Sequence, residues 1–473
     1  MRPPMTALLP RLASLLLLLA SLPAVAQPAG GLRLPEVQRH LLPNGAVLLL
    51  AEKHDVPMVA LDIRVRGGSL ADPAGRDGAT ALLAELLQKG AGGRDAAAFA
   101  EAIDAVGGRL SIDVDRDALQ LSAEFLAEDA ALMVELAADA LRRPRLHRDE
   151  FDKVRERAVK SLIAAKDGAP ERLIAQYGQA WLFGAHPYGR PADGSEASLA
   201  RITLDDVVGL HRAQLGGARL VVVAVGAVAP ERMRELLTAA FGDWPAAPAA
   251  LPAVAAPPRQ QGRRVLLVDK PGATQTYFWL GNVGAARGDP ERVAQNLVNT
   301  LFGGRFTSML NSELRVRTGL TYGARSSLLR LPQPGPLAIT SFTRTESTLE
   351  ALDLALATLQ RLHDAGFDAA QLESGRRYVL GQFPPTLETA PQLADRLGEL
   401  ELHGLDRAEI DGFPAAVAAV DAAAARSAAS VFPRADDLAI VLIGDAAKIR
   451  DQVGKYGPLT EMPLAAPQFH PGD

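Results

Sequence analysis

Two hydrophobic rhythms run along this chain. Between Gly78 and Gly90 (GATALLAELLQKG), Ala79, Leu82, Leu83, Leu86 and Leu87 fall at i, i+3, i+4, i+7 and i+8. That is one stripe of an amphipathic helix, and Gly90 is placed to end it. Elsewhere, short runs of aliphatic residues predict strands. Val47–Leu50, Ala60–Val65 and Arg219–Val225 (RLVVVAV) come early; Val265–Val268, Thr276–Leu280 and Leu438–Ile443 (LAIVLI) come late. The two sets follow one plan. Arg219–Val225 leads into Gly226 and a helical stretch through Glu231–Leu237, while Leu438–Ile443 leads into Gly444, Asp445 and a helical stretch over Ala446–Val453. Strands mixed with long helices in this order predict an α+β fold built on antiparallel sheets.

The repeat turns about Pro245–Pro258 (PAAPAALPAVAAPP), almost wholly Ala and Pro, without a periodic apolar face. Such a run is a semi-extended connector. The expected organisation is an N-terminal half over 27–244, a connector over 245–262 and a C-terminal half over 263–473. Residues 1–26 have a different character. Arg2 and Arg11 precede the apolar run Leu12–Leu22, and Ala24-Val25-Ala26 is a small-x-small cleavage pattern. This is the order of a secretory signal peptide, and the run is too short to span a bilayer comfortably. The expectations are export, a mature chain without a membrane span, and a periplasmic location.

Composition narrows the chemistry. A formal net charge of -5 argues against a protein organised around nucleic acid or anionic lipid. Cysteine is absent, which excludes disulfides and thiolate metal ligands. The eight histidines are His40, His54, His147, His186, His211, His363, His403 and His470, and no two stand at metal-binding helical spacing. No G-x-S-x-G nucleophile elbow occurs.

Leu42-Pro43-Asn44-Gly45, then Gly67-Gly68-Ser69, Asp72-Pro73 and Gly78, followed by the 78–90 helix and Lys89-Gly90, resembles the start of the insulinase/pitrilysin family of zinc peptidases. In active members, the resemblance implies, this helix carries H-x-x-E-H. Its two histidines grip one zinc ion, and its glutamate activates the bound water. The matching positions here are Ala81, Ala84 and Glu85. The family's third ligand, a downstream glutamate, corresponds to Ser161 or Leu162, just before Asp167-Gly168-Ala169-Pro170-Glu171. The resemblance therefore implies a degenerate zinc site and no metal bound by this chain. His186-Pro187-Tyr188-Gly189-Arg190 resembles a family turn with a structural role.

Gly303-Gly304-Arg305-Phe306, Leu314-Arg315 and Gly319-Leu320-Thr321-Tyr322 resemble the family's second-half signature. There an arginine and a tyrosine hold the peptide backbone and steady the developing oxyanion, and Arg315 and Tyr322 match them. Read without the family, the arginine offsets a helix dipole and the tyrosine packs at a strand start; Arg317 is a solvent-facing charge. Gly107–Gln120 matches the place of the family's peptide-binding edge strand, with Ser111, Ile112 and Val114 at the contact positions, but the pattern is only partly kept and an ordinary sheet strand is the preferred reading. The fold implied is a clamshell of two homologous halves. Some bacterial members divide the zinc motif and the arginine–tyrosine signature between two chains, so the expected function is a non-catalytic subunit of an exported heterodimeric peptidase. Its zinc would sit in a homologous partner, and its substrate would be a peptide. The alternative is a catalytically inactive scaffold or peptide-binding protein.

Overall fold

The short aliphatic runs become strands buried on one or both faces, and they assemble into two sheets. The computed structural model describes residues 34–472, so the expected leader over 1–26 lies outside the described residues. The first sheet contains β1 (Val37–Leu41), β2 (Val47–Glu52), β3 (Met58–Arg66), β4 (Arg109–Val114), β5 (Ala118–Leu126) and β6 (Leu220–Gly226), in the order β1-β2-β6-β3-β5-β4. The second contains β7 (Arg263–Asp269), β8 (Gln275–Val283), β9 (Ala324–Leu328), β10 (Pro336–Arg344), β11 (Leu438–Gly444) and β12 (Leu459–Pro463), in the order β12-β7-β11-β8-β10-β9. From its second member inward, each order is the other's counterpart. The edges differ. β1 precedes β2 and pairs with it antiparallel, whereas β12 comes last in the chain and pairs parallel with β7.

The α+β class and the two-half plan are as expected, with one refinement to the sheets. Most neighbours are antiparallel, but β2 pairs parallel with β6, and β7 pairs parallel with β11. The cause is visible in β6 and β11. Both are wholly buried, apolar on both faces, and sit inside their sheets, the condition under which parallel pairing is found.

Each half covers only one face of its own sheet. Val59, Leu61 and Ile63 of β3 and Val222 of β6 join a core with the Ala79–Leu87 and Ala130–Arg142 helices. The other face of β3 and β6 is covered by the Ala390–Leu402 helix of the second half. Reciprocally, the Ile174–Phe183 helix of the first half lies on β8 and β11, where Tyr177 and Trp181 pack with Trp279, Val441 and Ile443. A Cβ on Gly178 would fall inside the Trp279 indole, so glycine is what lets this helix sit so close. The connector carries no helix or strand and is pinned at several points, with the Gly217 amide donating to Pro245 O at 2.8 Å and the Ala249 amide to Ala213 O at 3.1 Å. Among the described residues, no helix is long and apolar enough to cross a membrane.

Candidate functional site

The helix at the zinc-motif positions forms over Ala79–Leu87, with the predicted stripe of Ala79, Leu82, Leu83, Leu86 and Leu87 buried. Its N-terminus is fixed by Asp72, whose carboxylate accepts from the amides of Gly78 (2.8 Å) and Thr80 (2.7 Å) and from the Thr80 hydroxyl. Burial still pushes the Asp72 carboxyl up to about 6, against those hydrogen bonds. The motif positions themselves hold little chemistry. Ala84 is buried, Ala81 half-buried, and Glu85 exposed. Glu85 accepts from Arg157 Nη2 at 2.7 Å, and Arg157 stands on the Arg148–Gly168 helix. On that helix Ser161 is exposed, and the half-buried Leu162 packs its side chain against apolar neighbours. Two methyl groups, a leucine and a carboxylate already held by a guanidinium do not fit a zinc ion. Among the described residues, no group of three or more His, Asp or Glu side chains gathers where it could hold a metal.

The segment matched to the edge strand spans two strands and their turn. Ser111, Ile112 and Val114 lie on β4, at the edge of the first sheet, with Ser111 exposed, Ile112 buried and Val114 half-buried. Gln88, just past the helix, donates Nε2 to Ile112 O at 3.2 Å, so one main-chain acceptor of that edge is already engaged.

Arg315 and Tyr322 are brought together. The chain turns through two π-helical stretches, Thr300–Gly304 and Ser312–Arg317, and Gly319 (φ 66°) then bends it toward Tyr322 and β9. Single π turns recur at functional sites because they re-aim side chains off the α-helical spacing. Asn311 Nδ2 donates to Phe306 O at 2.7 Å, and Ser341 Oγ donates to Thr321 Oγ1 at 3.1 Å, holding the two loops. The Arg315 guanidinium lies 4.3 Å from the ring centre of Tyr322 and 4.8 Å from that of Phe306. It makes no hydrogen bond or ion pair among the described residues. Tyr322 is 75% exposed and Phe306 60%. A free guanidinium and a free phenol on one exposed surface are donors suited to a carbonyl oxygen gaining negative charge.

Three contributors were not singled out from sequence: Arg157, Gln88 and the role of Phe306. Arg157 stands four residues before Ser161 on one helix, a spacing that marks a shared face. Gln88 and Phe306 lie inside quoted segments but carry no pattern of their own. Arg317 is exposed, as expected, and pairs with Glu313. The His186–Arg190 turn is structural in its contacts. His186 Nδ1 accepts from the Tyr188 amide, and the Tyr188 side chain is fully buried.

Comparison with known proteins meets this geometry. Residues 47–193 match the model described as Insulinase (Peptidase family M16), and residues 201–379 match that described as Peptidase M16 inactive domain. An uncharacterized zinc protease of Mycobacterium tuberculosis (strain ATCC 25618 / H37Rv) is 29% identical over 389 residues, 80% of this chain and 86% of that protein. A non-peptidase homolog of Helicobacter pylori (strain ATCC 700392 / 26695) is 23% identical over 347 residues, 72% of this chain and 78% of that one. Among solved structures, a peptidase M16 inactive domain from Pseudomonas fluorescens matches with TM-score 0.80, covering 87% of this chain and 98% of that chain at 23% identity. A protease from Helicobacter pylori matches with TM-score 0.79, covering 87% and 100% at 20% identity. At such identities the structural likeness speaks for the fold alone. The two adjoining family matches, over 47–193 and 201–379, with relatives aligned over most of the chain, make this protein an insulinase-family peptidase homologue.

Proposed function

We propose that this chain is the non-catalytic subunit of an exported, heterodimeric insulinase-type zinc peptidase. The zinc ion belongs to a homologous partner that carries the H-x-x-E-H motif, and this chain lends Arg315 and Tyr322 to the partner's site and walls one side of its peptide chamber. The observation that carries the reading is Arg315. It stands between two exposed rings with its donors uncommitted, while the chain's own motif positions offer nothing for a second charge to assist. In the assembled site Arg315 binds and orients the substrate carbonyl, and the Tyr322 hydroxyl donates to the oxygen as it gains charge. The leader-like segment before residue 27 and the absence of cysteine support the periplasm as the compartment.

The test mixes the purified chain with a homologue that carries the zinc motif and follows cleavage of an unstructured peptide. Activity above the partner's own level supports the reading. Arg315→Ala and Tyr322→Phe should then each lower kcat by about 10²–10³-fold, the range for losing one oxyanion donor. Full activity with both substitutions would refute the lending role. No gain in any mixture would leave the inactive scaffold as the function.

A further inference from the structure

The stretch of chain around Arg315 has a charge that the chain as a whole does not. Between residues 300 and 330 there are five arginines and one glutamate, with no lysine or aspartate, in a protein whose net charge is -5. The single glutamate, Glu313, is shared between Arg317 and Arg361. The other four arginines have no carboxylate within ion-pair distance among the described residues. Arg305 donates to Ser374 O and Oγ at 3.3 and 3.1 Å and lies over the Tyr378 ring. Arg325 donates to Thr340 Oγ1 at 3.3 Å. Arg330 donates to Asn296 Oδ1, Arg292 O and Gln295 Oε1. Arg315 has only its two rings.

The same stretch exposes apolar area. Phe306 is 60% exposed, Val316 65% and Tyr322 75%, and Arg315 links the first and last of them. Exposed aromatic and aliphatic side chains around an arginine have the composition of a protein-binding surface. A guanidinium group without an ion-pair partner takes a carboxylate, which it can bind in a bidentate fork.

From this pairing we infer that the Arg315 surface selects peptides in which acidic residues flank a bulky apolar side chain. The apolar residue packs on Phe306, Val316 and Tyr322, and the carboxylates meet Arg305 and Arg325. The inference rests on the reading that this surface meets a peptide, and it adds the peptide's class. Arg305 and Arg325 are specificity residues here, since Arg305 adjoins Phe306 and Arg325 follows Tyr322 by three positions.

The experiment measures fluorescence anisotropy of labelled dodecapeptides on the purified full chain without any partner. The parent probe carries a phenylalanine flanked by glutamates; its variants change both glutamates to lysine, or the phenylalanine to alanine. At about 0.1 M salt, where facing charges remain only partly screened, the parent should bind about tenfold or more tighter than the lysine form. The double variant Arg305→Gln/Arg325→Gln should shrink that ratio to about threefold or less, and Phe306→Ala should erase the advantage of phenylalanine over alanine. Unchanged circular dichroism and thermal midpoints show that the variants are folded. Equal binding of the glutamate and lysine probes would overturn the inference. So would wild-type discrimination in the arginine variant, or displacement of the parent probe by a mixed-sequence single-stranded oligonucleotide as readily as by unlabelled parent peptide. This assay needs no zinc-bearing homologue, so it separates from the subunit reading. Selective binding with no gain in any mixture sinks the subunit alone, and a gain without selective binding sinks the peptide class alone.

Discussion

Arg157 donates to Glu85 at 2.7 Å, from the Arg148–Gly168 helix to the Ala79–Leu87 helix. A guanidinium thus holds the only carboxylate left at the zinc-motif positions. Their side chains are 59% and 51% exposed, so the pair is worth about 0–1 kcal/mol. A double-mutant cycle of Glu85→Gln and Arg157→Gln in urea should give a coupling within that range. Arg157→Gln should also leave the zinc content of the protein unchanged, because releasing Glu85 adds no second donor beside Ala81 and Ala84. Stoichiometric zinc in the variant would mean that the pair conceals a metal site.

Arg315 and Tyr322 should matter little to folding. Tyr322 is mostly exposed, and an exposed cation–π contact contributes about 0.5–1 kcal/mol. Chemical denaturation of Arg315→Ala should therefore shift stability by no more than about 1 kcal/mol, and Tyr322→Phe by less than about 0.5 kcal/mol. Larger losses would assign the pair a structural role.

Two glycines in helices should respond to alanine in opposite directions. A methyl at Gly178 would enter the Trp279 ring, so Gly178→Ala should destabilise by about 1–3 kcal/mol. Gly381, in the Ala369–Gln382 helix, has nothing within 4 Å of the new methyl. Gly381→Ala should gain about 0.4–1 kcal/mol by restricting the unfolded chain. Urea titrations of both variants check the sign as well as the size.

The cavity of about 300 Å³ where the halves meet is lined by Arg66, Asp117, Tyr188 and His403, and two of these titrate in opposite senses. Burial, and then Arg287, lowers His403 from 6.5 to about 4. Between those values the unfolded chain takes up a proton that the folded one refuses, so stability falls as the pH drops through that window. Burial, and then Asp115, pushes Asp117 up to about 6. The folded state now holds the proton longer, so this group's contribution is full in acid and lost as the pH rises through about 6. His403→Gln should flatten the acid loss of the urea midpoint, and Asp117→Asn should flatten the loss between about pH 4 and 6. An unchanged profile in both variants would place these groups in water.

After β12 the chain returns across the first half. Leu464 and Phe469 are buried, the Tyr177 hydroxyl donates to Leu464 O at 3.4 Å, and the Phe469 ring meets Tyr177 edge-on at 4.9 Å. The Ala197 amide donates to Pro467 O at 2.9 Å. Phe469→Ala should cost about 3–5 kcal/mol, the range for emptying a large aromatic from a core, and calorimetry would show a lowered midpoint. A change below about 1 kcal/mol would mean that the segment merely rests on the surface.

Much of this was legible locally. The aliphatic runs become β2, β3, β6, β7, β8 and β11, and the stripe over Ala79–Leu87 is buried residue for residue, because each pattern records which residues of an element must avoid water. The placement of Arg315 and Tyr322 on one surface was legible through a resemblance to the family signature. The partners were not. An apolar face states that it must be covered, and it does not say by what. Only the tertiary structure sends the Ile174–Phe183 helix to the second sheet and the Ala390–Leu402 helix to the first, closes one sheet with β1 and the other with β12, gives Glu85 to Arg157, and sets Phe306 beside Arg315. Those choices depend on contacts between residues far apart in the chain, where shape and charge must match across a junction that no local period encodes.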